Sequence, residues 1–571
     1  MHIKQRILPE KLPDLGNISP LLTRIYAARH ISSVSELNTS LANLLSYQQL
    51  SGITKAVDLL VVALKMQQRV LIVGDFDADG ATASAVAVLG LKSIGMQFVD
   101  FLVPNRFDYG YGLSPEVVTL ALKRKPQLLI TVDNGISSIE GVAAAKAAGL
   151  DVLVTDHHLA GPLLPEADAI VNPNQPGCLF PSKALAGVGV IFYVLLAFRA
   201  RLRSLNWFSV NHQIEPNLAE LLDLVALGTV ADVVPLDSNN RILVQQGLAR
   251  IRAGRLRPGL RAIIELSGRD LNRITATDLG FLVGPRLNAA GRLDEMSLGI
   301  DCLLNDDLQS SRLAAQELDS LNQERKIIEQ DMRQEAAAQL KNLSISNLPF
   351  GLCLFNEAWH QGVIGILASR LKERYHRPVI AFARDGDNLL KGSARSIPGF
   401  HIRDALDEIA VKHPNIISKF GGHAMAAGLS LHKKNFDDFT ALFDKQVCSY
   451  LKSSDLEGNL LTDGELSTND YNLITAKDLN SASPWGQAFP EPAFHNTFKI
   501  LQQRLLGNKH LKLIVLTECE QYQLDAIAFN VDTTVWPNPL VRKVSLVYKL
   551  DINYFRGKEQ LQLLVQHLTA I

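Results

Sequence analysis

Short apolar runs alternate with longer amphipathic segments between residues 54 and 155 of the chain. The apolar runs are rich in β-branched residues and predict buried strands at 70–74, 98–103, 128–132 and 152–155. Helical patterns lie between them at 54–67, 81–94 and 138–148. Because strands that alternate with helices pair in parallel, this region predicts an α/β domain whose sheet is covered on both faces.

Helical patterns predominate from about residue 185 to 305. The apolar run 184–198 is shorter than the roughly 20 residues that a membrane span needs, so it predicts a buried helix. Residues 308–340 contain neither Pro nor Gly and repeat apolar residues at helical spacing. A helix of this length would extend about 50 Å. It therefore predicts a connector between two domains.

The remainder of the chain shows two further patterns. Strands at 351–355 and 379–382 flank a helix at 362–374, which predicts a smaller α/β domain. Short alternating strands such as 512–516, 526–529 and 544–550 are typical of a small β-barrel. We therefore predict an N-terminal arm (1–50) packed on the rest of the chain, a parallel-sheet domain (51–307), a connector helix (308–342), a smaller α/β domain (343–452) and a barrel (453–571). Aromatic side chains expected in the barrel core are Trp485, Phe489, Phe494, Tyr548, Tyr554 and Phe555.

Overall charge does not indicate a partner, since the formal net charge is -1. Residues 241–292 differ, with ten Arg, no Lys and three acidic residues. Guanidinium groups match phosphate oxygens, so this stretch favours contact with nucleic acid, with a solvated surface as the alternative. The five cysteines are scattered without a CxxC pair, and the N-terminus lacks the apolar core of a signal peptide. These features predict a protein of the reducing cytoplasm, without a membrane segment.

Acidic and imidazole side chains follow three of the predicted strands. Strand 70–74 runs into DFDADG (75–80), strand 128–132 into Asp133, and strand 152–155 into Asp156-His157-His158. Parallel strands end at one edge of a sheet, so these side chains are expected to gather there. Clustered carboxylates repel one another unless cations neutralise them, and these ligand types suit Mn²⁺ or Mg²⁺. We therefore predict two divalent metal ions of the kind that cleaves phosphoesters, with Asp133 as the bridging ligand.

Each of these motifs has an ordinary alternative when taken alone. A DxDxDG run can be a calcium loop, but an EF-hand needs a Glu at its twelfth position, where this chain has Val86. Asp133 can belong to a turn, Asp156 can cap a helix, and His157-His158 can be a surface pair. Their joint occurrence after the strands of one sheet favours the metal site.

In this order, the motifs resemble those of the DHH phosphoesterase superfamily. The matching segments are GDFDADG (74–80), VDNG (132–135), TDHH (155–158) and TVADVVP (229–235). PNRFDYGYGLS (104–114) and GPRLNAAGRL (284–293) resemble its branch of single-strand-specific 5′ to 3′ exonucleases. HQGVIGILASRL (360–371), KGSARS (391–396) and GGHAMAAG (421–428) resemble the DHH-associated (DHHA1) domain. PWGQAFPEPAF (484–494) resembles, more weakly, the region where that branch carries an OB-fold.

The resemblance implies an α/β protein with a parallel-sheet DHH domain, a long connector helix, a smaller α/β DHHA1 domain and a C-terminal OB-like β-barrel. The metal ligands that it implies are Asp75, Asp77, Asp79, Asp133, His157 and Asp232. Related enzymes use the position of Asp75 variably. His158 and Asp156 are expected to be catalytic, with His158 facing the phosphate and Asp156 orienting the imidazole of His157.

A second group of residues is expected to bind the substrate. Its members are Arg106, Tyr111, Arg286, Asn288, Arg292, Ser393, Arg395 and His423. The resemblance implies that the DHHA1 domain closes over the strand, with Ser393, Arg395 and Arg106 at the terminal phosphate. Tyr111 is expected to stack on a base, with core packing as its alternative.

The function implied by the resemblance is two-metal-dependent hydrolysis of single-stranded DNA from its 5′ end. The expected products are mononucleotides, and the expected setting is DNA repair and recombination. Expected partners are a single-stranded-DNA-binding protein and a repair helicase, and the chain is expected to be a monomer. The alternatives are a DHH-family phosphodiesterase for small oligonucleotides or cyclic dinucleotides, an inorganic pyrophosphatase, and a non-catalytic nucleic-acid-binding scaffold.

Overall fold

The computed structural model of the protein describes residues 2–340, 348–482, 484–507 and 509–571. Its helices are α1 (Pro20–Ala27), α2 (Ile53–Lys65), α3 (Ala78–Ile94), α4 (Pro115–Leu122), α5 (Ile139–Ala147), α6 (Gly187–Ser204), α7 (Trp207–Val210), α8 (Leu222–Ala231), α9 (Ser238–Arg252), α10 (Pro258–Leu266), α11 (Ala276–Asp278), α12 (Gly284–Leu293), α13 (Ser297–Leu304), α14 (Leu308–Leu340), α15 (Ile364–Tyr375), α16 (Ile402–Lys412), α17 (Phe436–Tyr450) and α18 (Leu473–Ser481). Its strands are β1 (His2–Gln5), β2 (Val70–Gly74), β3 (Val99–Leu102), β4 (Leu128–Val132), β5 (Asp151–Thr155), β6 (Ala169–Val171), β7 (Leu352–Phe355), β8 (Val379–Asp385), β9 (Leu389–Arg395), β10 (Lys419–Gly422), β11 (Ala426–His432), β12 (Asn459–Thr462), β13 (Phe494–Leu506), β14 (His510–Thr517), β15 (Gln523–Ala528), β16 (Lys543–Phe555) and β17 (Lys558–Ala570). The contacts of the chain define one unit from Lys4–Asp319 with Leu461–Ile571, and a second that contains Ser320–Leu460.

Five parallel strands form the first sheet, in the order β3-β2-β4-β5-β6. The predicted strands 70–74 and 128–132 coincide with β2 and β4, and the predicted helices correspond to α2, α3 and α5. Strand β6 was missed because its three residues are too few to show a pattern. The chain runs from β2 to β3 on one side and then to β4 on the other. The sheet therefore has a topological switch point between β2 and β4, where open α/β sheets bind ligands.

Helix α6 contains most of the predicted apolar run 184–198 and is buried within this domain, as expected. It packs closely on α3, because a Cβ atom at Gly90 would lie 2.3 Å from Cδ1 of Leu195. Among the described residues, no helix is both long enough and apolar enough to cross a membrane.

Helix α14 covers Leu308–Leu340, as the sequence pattern predicted. Its length is about 50 Å at the usual rise of an α-helix. Leu318, Met332 and Ala336 are buried, which accounts for the apolar stripe in the sequence. The predicted end of the connector at 342 and the predicted start of the next domain at 343 lie outside the described residues.

The second unit contains a mixed sheet in the order β10-β11-β9-β8-β7. Strands β7 and β8 pair in parallel and flank α15, which confirms the predicted strand–helix–strand pattern. Strands β9, β10 and β11 add antiparallel pairs that were not predicted. Glycines in KGSARS and GGHAMAAG obscure the alternation that would have revealed these strands.

The C-terminal strands close into a barrel in the order β13-β14-β15-β17-β16, which confirms the predicted OB-like module. Strands β15 and β17 pair in parallel to close it. Phe494 and Tyr548 are fully buried, as expected. The expectation for Tyr554 and Phe555 was wrong, since these side chains are 44% and 60% exposed. They end β16, beside the turn that leads into β17, where the barrel interior no longer covers them.

The N-terminal arm packs against the segment that leads into the barrel. The ring of Tyr26 lies 6.0 Å from that of Trp485 and 6.3 Å from that of Phe489. Trp485 and Phe489 are therefore buried, but by this contact with the arm. The guanidinium group of Arg29 donates to both carboxylate oxygens of Asp463, at 2.7 and 3.0 Å. The arm thus contacts a segment more than 400 residues away, as the ion pair of residues 29 and 463 shows.

Replacement of Arg29 by Met is expected to lower the free energy of unfolding by roughly 3–5 kcal/mol, because it leaves the buried carboxylate of Asp463 without this counter-ion. Chemical denaturation of the full chain measures the change. Arg124→Met is the matched control, since Arg124 pairs with Asp100 at the surface and such pairs contribute about 0–1 kcal/mol. Equal losses for the two variants would contradict a stabilising role for the buried ion pair.

Candidate metal centre

The carboxyl ends of three strands and of one helix supply the predicted metal ligands. Asp75, Asp77 and Asp79 follow β2, and Asp77 caps α3 by accepting from the backbone N–H groups of Asp79 and Gly80 at 2.9 and 3.0 Å. Asp133 follows β4, His157 follows β5, and Asp232 ends α8. The loop after β2 therefore folds as the start of a helix whose first turn contains acidic side chains.

The six predicted ligands form two groups that could hold a metal ion, and a third such group contains Asp133, His157 and His158. One contains Asp79, His157 and Asp232, and the other contains Asp75, Asp77 and Asp133. Within each group, the ligand atoms lie within 4.8 Å of one another. Nε2 of His157 lies 3.1 Å from Oδ1 of Asp133, so Asp133 adjoins both groups. The same Nε2 lies 3.5 Å from Oδ2 of Asp232 and 4.0 Å from Oδ2 of Asp79.

Burial and mutual repulsion make this group of carboxylates costly to ionise. Burial, and then the charge of Asp77, raises the pKa of Asp79 to about 7. Burial also raises the pKa of Asp75, Asp133 and Asp232 well above the ordinary value, and neighbouring carboxylates add to each shift. Bound cations would remove this penalty by neutralising the charges.

The donor set fits divalent cations that prefer oxygen and imidazole ligands. Oδ1 of Asp133 is buried and accepts no hydrogen bond from a described residue. A buried carboxylate oxygen in this state is costly in a metal-free protein and is available as a ligand. Together with the distances above, this oxygen indicates a single centre that contains all six predicted ligands.

The backbone is strained at two positions in this centre. Asp133 has a φ of 62°, and Val233, which follows Asp232, has a φ of 60°. The left-handed region is unfavourable for a β-branched residue such as valine. Val233 directly follows Asp232, so this conformation ends α8 at the ligand.

Helix α6 contributes to the centre through its N-terminus, which the sequence analysis missed. The backbone N–H groups of Gly187 and Val188 donate to Oδ2 and Oδ1 of Asp79, at 2.6 and 2.9 Å. A Cβ atom at Gly187 would lie 2.5 Å from Cβ of Asp133. The signal was the glycine pair Gly187 and Gly189 at the start of a long apolar run, since glycine allows close approach of the backbone.

The carboxylate of Asp156 contacts the ring of His158, a contact that the sequence did not predict. Oδ1 of Asp156 lies 2.8 Å from Nδ1 of His158 and also accepts from the backbone N–H of His157 at 2.7 Å. Its Oδ2 accepts from the backbone N–H of Ile136 at 2.9 Å. Burial opposes both charges, but the mutual hydrogen bond raises the pKa of His158 and lowers that of Asp156.

Tyr111 and Arg106 lie at the same rim. The hydroxyl of Tyr111 donates to the backbone carbonyl of Asp133 at 3.2 Å and lies 3.2 Å from Nδ1 of His158. The ring of Tyr111 is therefore tied to the site and is not core, since 53% of this residue is exposed. The guanidinium carbon of Arg106 lies 4.3 Å from the centre of the Phe76 ring. Burial lowers the pKa of Arg106, and the nearby carboxylates of the centre oppose this shift.

Helix α12 supports the centre more than the sequence analysis expected. The side-chain oxygen of Asn288 accepts from the backbone N–H of Ala78 at 2.8 Å, which fixes the acidic loop. Arg286 is buried and donates to Asp319 at 2.9 Å and to the carbonyl of Leu282 at 2.6 Å. Two of the expected substrate contacts are thus engaged within the protein. Arg292, in the last turn of α12, is half-buried.

Replacement of Asn288 by Ala is expected to weaken metal binding by about 10–100-fold, because supporting hydrogen bonds of a metal site typically have this effect. Titration of the apoprotein with Mn²⁺ by calorimetry measures it. Asn272→Ala is a matched control, since Asn272 is an exposed residue of the short turn before α11. Unchanged affinity of the Asn288 variant would contradict a role in fixing the loop.

The predicted residues of the DHHA1 domain form a separate group in the second unit. Ser393 and Arg395 lie on β9, and a terminal guanidinium nitrogen of Arg395 donates to Oγ of Ser393 at 3.2 Å. Ala426, at the start of β11, pairs with Arg395, so the turn that contains exposed His423 is adjacent to them. A Cβ atom at Gly365 of α15 would lie 3.0 Å from both side chains. In this unit, the guanidinium group of Arg395 and the hydroxyl of Ser393 therefore lie together at the start of α15.

Three family models match the chain in sequence order. They are the DHH family, N-terminal domain (69–229), the DHHA1 domain (347–448) and the RecJ OB domain (462–567). The fold and the site therefore define a protein of the DHH class. The single-stranded-DNA-specific exonuclease RecJ of Dickeya dadantii is 56% identical over 560 residues, covering 98% of this chain and 97% of the relative. The relative of the same name in Escherichia coli is 54% identical over 573 residues, covering 100% and 99%. The chain belongs to the RecJ family.

Solved structures show the same fold. RecJ from Thermus thermophilus in complex with Mn²⁺ has a TM-score of 0.82 at 27% identity, covering 100% of this chain and 79% of that one. Its complex with Mg²⁺ has a TM-score of 0.75 at 26% identity, covering 99% and 78%. An exonuclease RecJ bound to manganese has a TM-score of 0.59 at 33% identity, covering 70% and 96%. These similarities confirm the predicted fold class.

Proposed function

We propose that this protein hydrolyses the phosphodiester bonds of single-stranded DNA from an end, with two divalent metal ions. The observation that carries the proposal is the pair of ligand groups, Asp79–His157–Asp232 and Asp75–Asp77–Asp133. Two such groups that lie next to each other match the two-metal site of enzymes that cleave phosphoesters. The relatives in Dickeya dadantii and Escherichia coli, which are named single-stranded-DNA-specific exonucleases, support the same substrate.

Mn²⁺ or Mg²⁺ is the proposed cofactor, since the related structures contain these ions and the ligands here suit both. When bound, the two ions would supply an activated water and stabilise charge on the phosphate oxygens. Asp133 would contact both ions, because it adjoins both groups. The amides at the start of α6 hold the carboxylate of Asp79 in one orientation, so this ligand is already oriented in the metal-free protein.

The groups beside the ligands have separate proposed roles. His158, oriented by Asp156 and contacted by Tyr111, presents a protonatable ring at the rim of the centre. The carboxylate of Asp156 stabilises the imidazolium form, which would bind a phosphate oxygen. Arg106 adds a second cation near the acidic loop. In the second unit, Ser393, Arg395 and the turn at His423 are the proposed contacts for the terminal phosphate.

We further propose digestion from the 5′ end with release of mononucleotides, and a role in DNA repair and recombination. The family membership supports these points. A single-stranded-DNA-binding protein and a repair helicase remain the proposed partners. A cytoplasmic, monomeric protein is proposed as well, and five cysteines without a disulfide fit a reducing compartment.

Digestion of end-labelled DNA tests the proposal. A long single strand labelled at its 5′ or 3′ end, the matching duplex and a dinucleotide are each incubated with Mn²⁺, Mg²⁺ or a chelator. We expect the 5′ label to appear at once as a mononucleotide from the single strand, with little cleavage of the duplex and none in the chelator. Preference for the dinucleotide would favour the small-oligonucleotide phosphodiesterase, and cleavage in the chelator would contradict the metal centre.

A further inference from the structure

A second cationic feature lies outside the metal centre, beside α10. It is a cavity of about 530 Å³. The charged and amide side chains that line it are Arg252, Arg261, Arg269, Glu265, Asp270 and Asn272. We call it the Arg252 cavity. It belongs to the arginine-rich stretch that the sequence singled out and that the metal centre does not use.

The acidic side chains of the Arg252 cavity are paired with arginines that do not line it. Oε2 of Glu265 lies 3.1 Å from a guanidinium nitrogen of Arg312. Oδ2 of Asp270 lies 3.7 Å from Nε of Arg273. The positive charge of the three lining arginines is therefore only partly compensated within the cavity, which favours an anionic ligand.

The three lining arginines retain donors for such a ligand. Arg252 donates through Nε to the carbonyl of Ile274 at 2.8 Å. Arg261 donates through one terminal nitrogen to the carbonyl of Gly254 at 2.9 Å. Arg269 approaches Asp278 through Nε at 3.2 Å. Each guanidinium group has five N–H donors, so several on each side chain can still bind phosphate oxygens.

Other arginines of the same stretch do not contribute. Arg250 donates to the carbonyl of Gln246 at 2.8 Å within its own helix. Arg257 donates to the carbonyls of Leu303 and Leu304, at 3.2 and 2.7 Å. Arg286 is buried against Asp319 and the carbonyl of Leu282. Part of the arginine excess is therefore structural, and the cavity concentrates guanidinium groups that remain accessible.

An exposed aromatic hairpin end contacts Arg273, the arginine that pairs with Asp270 of the cavity. The guanidinium carbon of Arg273 lies 3.8 Å from the centre of the Tyr554 ring. Tyr554 and the neighbouring Phe555 are 44% and 60% exposed. Phe555 pairs with Lys558 across a two-residue turn whose central residues, Arg556 and Gly557, have φ values of 51° and 75°. Such a turn matches the twist of a hairpin, so the rings are held on a regular element.

We propose that the Arg252 cavity and the Tyr554–Phe555 hairpin end form a second, non-catalytic contact for single-stranded DNA. The arginines bind backbone phosphates, and the two rings stack on unpaired bases whatever their sequence. The inference rests on the proposed single-strand substrate. A strand long enough to reach both the metal centre and this contact binds more tightly than a short one, while the chemistry at the metal centre is unaffected.

The test combines Arg252→Gln, Arg261→Gln and Arg269→Gln in one full-length variant. Binding is measured in chelator, at several salt concentrations, with single strands of about 6 and about 40 nucleotides. The short strand is near the lower end of typical site sizes, and the long strand exceeds them. We expect the long strand to bind about tenfold more weakly, and the salt slope to fall by about 2, since each lost single-strand phosphate contact removes about 0.7. Hydrolysis of the short strand with Mn²⁺ is expected to stay at the parent rate.

Arg255→Gln is the matched control, because it makes the same substitution at an exposed arginine of the same stretch that does not line the cavity. A second variant, Tyr554→Ala with Phe555→Ala, changes exposed rings and tests the contact independently of the arginines. We expect it to weaken long-strand binding by about tenfold. Thermal unfolding verifies that each variant remains folded.

The outcomes separate this contact from the proposed function. Parental affinity and salt slope for the long strand in both variants would overturn the contact, while normal hydrolysis of the short strand would leave the proposed function intact. An equal loss of short-strand hydrolysis would also overturn it, because the arginines would then act at the catalytic site. If the parent bound neither strand, the proposed function and the inference would both fail.

Discussion

Asp133→Asn is expected to lower the rate of single-strand hydrolysis by about 10³-fold or more, since one electrostatic group at a reacting centre already accounts for roughly 10²–10³. Asp133 adjoins both ligand groups, with its Oδ1 lying 3.1 Å from Nε2 of His157. Asparagine keeps the size of the side chain but removes the charge that the two ions would share. Steady-state digestion of labelled single strands, in saturating Mn²⁺, measures the loss.

The same substitution is expected to stabilise the metal-free protein. Burial and the neighbouring carboxylates raise the pKa of Asp133, so the folded state disfavours its charge. Without that charge, the unfolding temperature measured in chelator should rise, and the additional stabilisation by Mn²⁺ should shrink. Asp387→Asn, at an exposed ion pair with Arg384, is expected to change neither activity nor stability. Parental activity in the Asp133 variant would refute the two-ion arrangement.

Gly187→Ala is expected to reduce activity by about 10²-fold, because a misplacement of about 1 Å at a catalytic centre has an effect of this size. The added Cβ would lie 2.5 Å from Cβ of Asp133 and 2.8 Å from its Cα, so helix α6 or the Asp133 backbone must shift. Either shift disturbs the hydrogen bond from Gly187 to Asp79. Such overpacking should also lower the free energy of unfolding by roughly 1–3 kcal/mol. Hydrolysis rates and denaturant unfolding measure the two effects.

Gly189→Ala provides the control, because it introduces the same methyl group two residues later in the same helix. The nearest atoms to its Cβ outside the helix backbone would be side-chain carbons of Leu185, the closest at 3.1 Å. That side chain can give way, and alanine is a better helix former than glycine by about 1 kcal/mol. We expect nearly parental activity. Similar losses in the two variants would show that the close approach of Gly187 to Asp133 does not position the centre.

The sequence predicted the ligands better than it predicted their support. Alternating strands and helices placed the residues after β2, β4 and β5 at one edge, and the structure brings all of them together with Asp232. Asp232 itself depended on the motif resemblance, because an aspartate at the end of one helix has no distinguishing pattern. The contact of Asp156 with the ring of His158 was not predicted, since adjacent histidines cannot be told apart by spacing alone.

The substrate residues show a similar division. GPRLNAAGRL indicated side chains near the site, but Asn288 contacts the acidic loop and Arg286 contacts Asp319. The direction of a helical side chain depends on the element against which the helix packs. The sequence of the helix alone does not identify that element. The exposure of Tyr554 and Phe555 was missed for the same reason, because strand alternation does not show where a barrel stops covering its strands.

By itself, the sequence determined the parallel sheet, the connector helix and the barrel, because hydrophobic periodicity is a local pattern. It also indicated cations, because acidic residues follow several strands of one predicted sheet. Only the tertiary structure decided which amides orient Asp79, which ring Asp156 contacts and which arginines line a cavity. These relations depend on distances between segments far apart in the sequence, such as those of Asp79 and Gly187. Chain packing sets such distances, and no pattern within one segment encodes them.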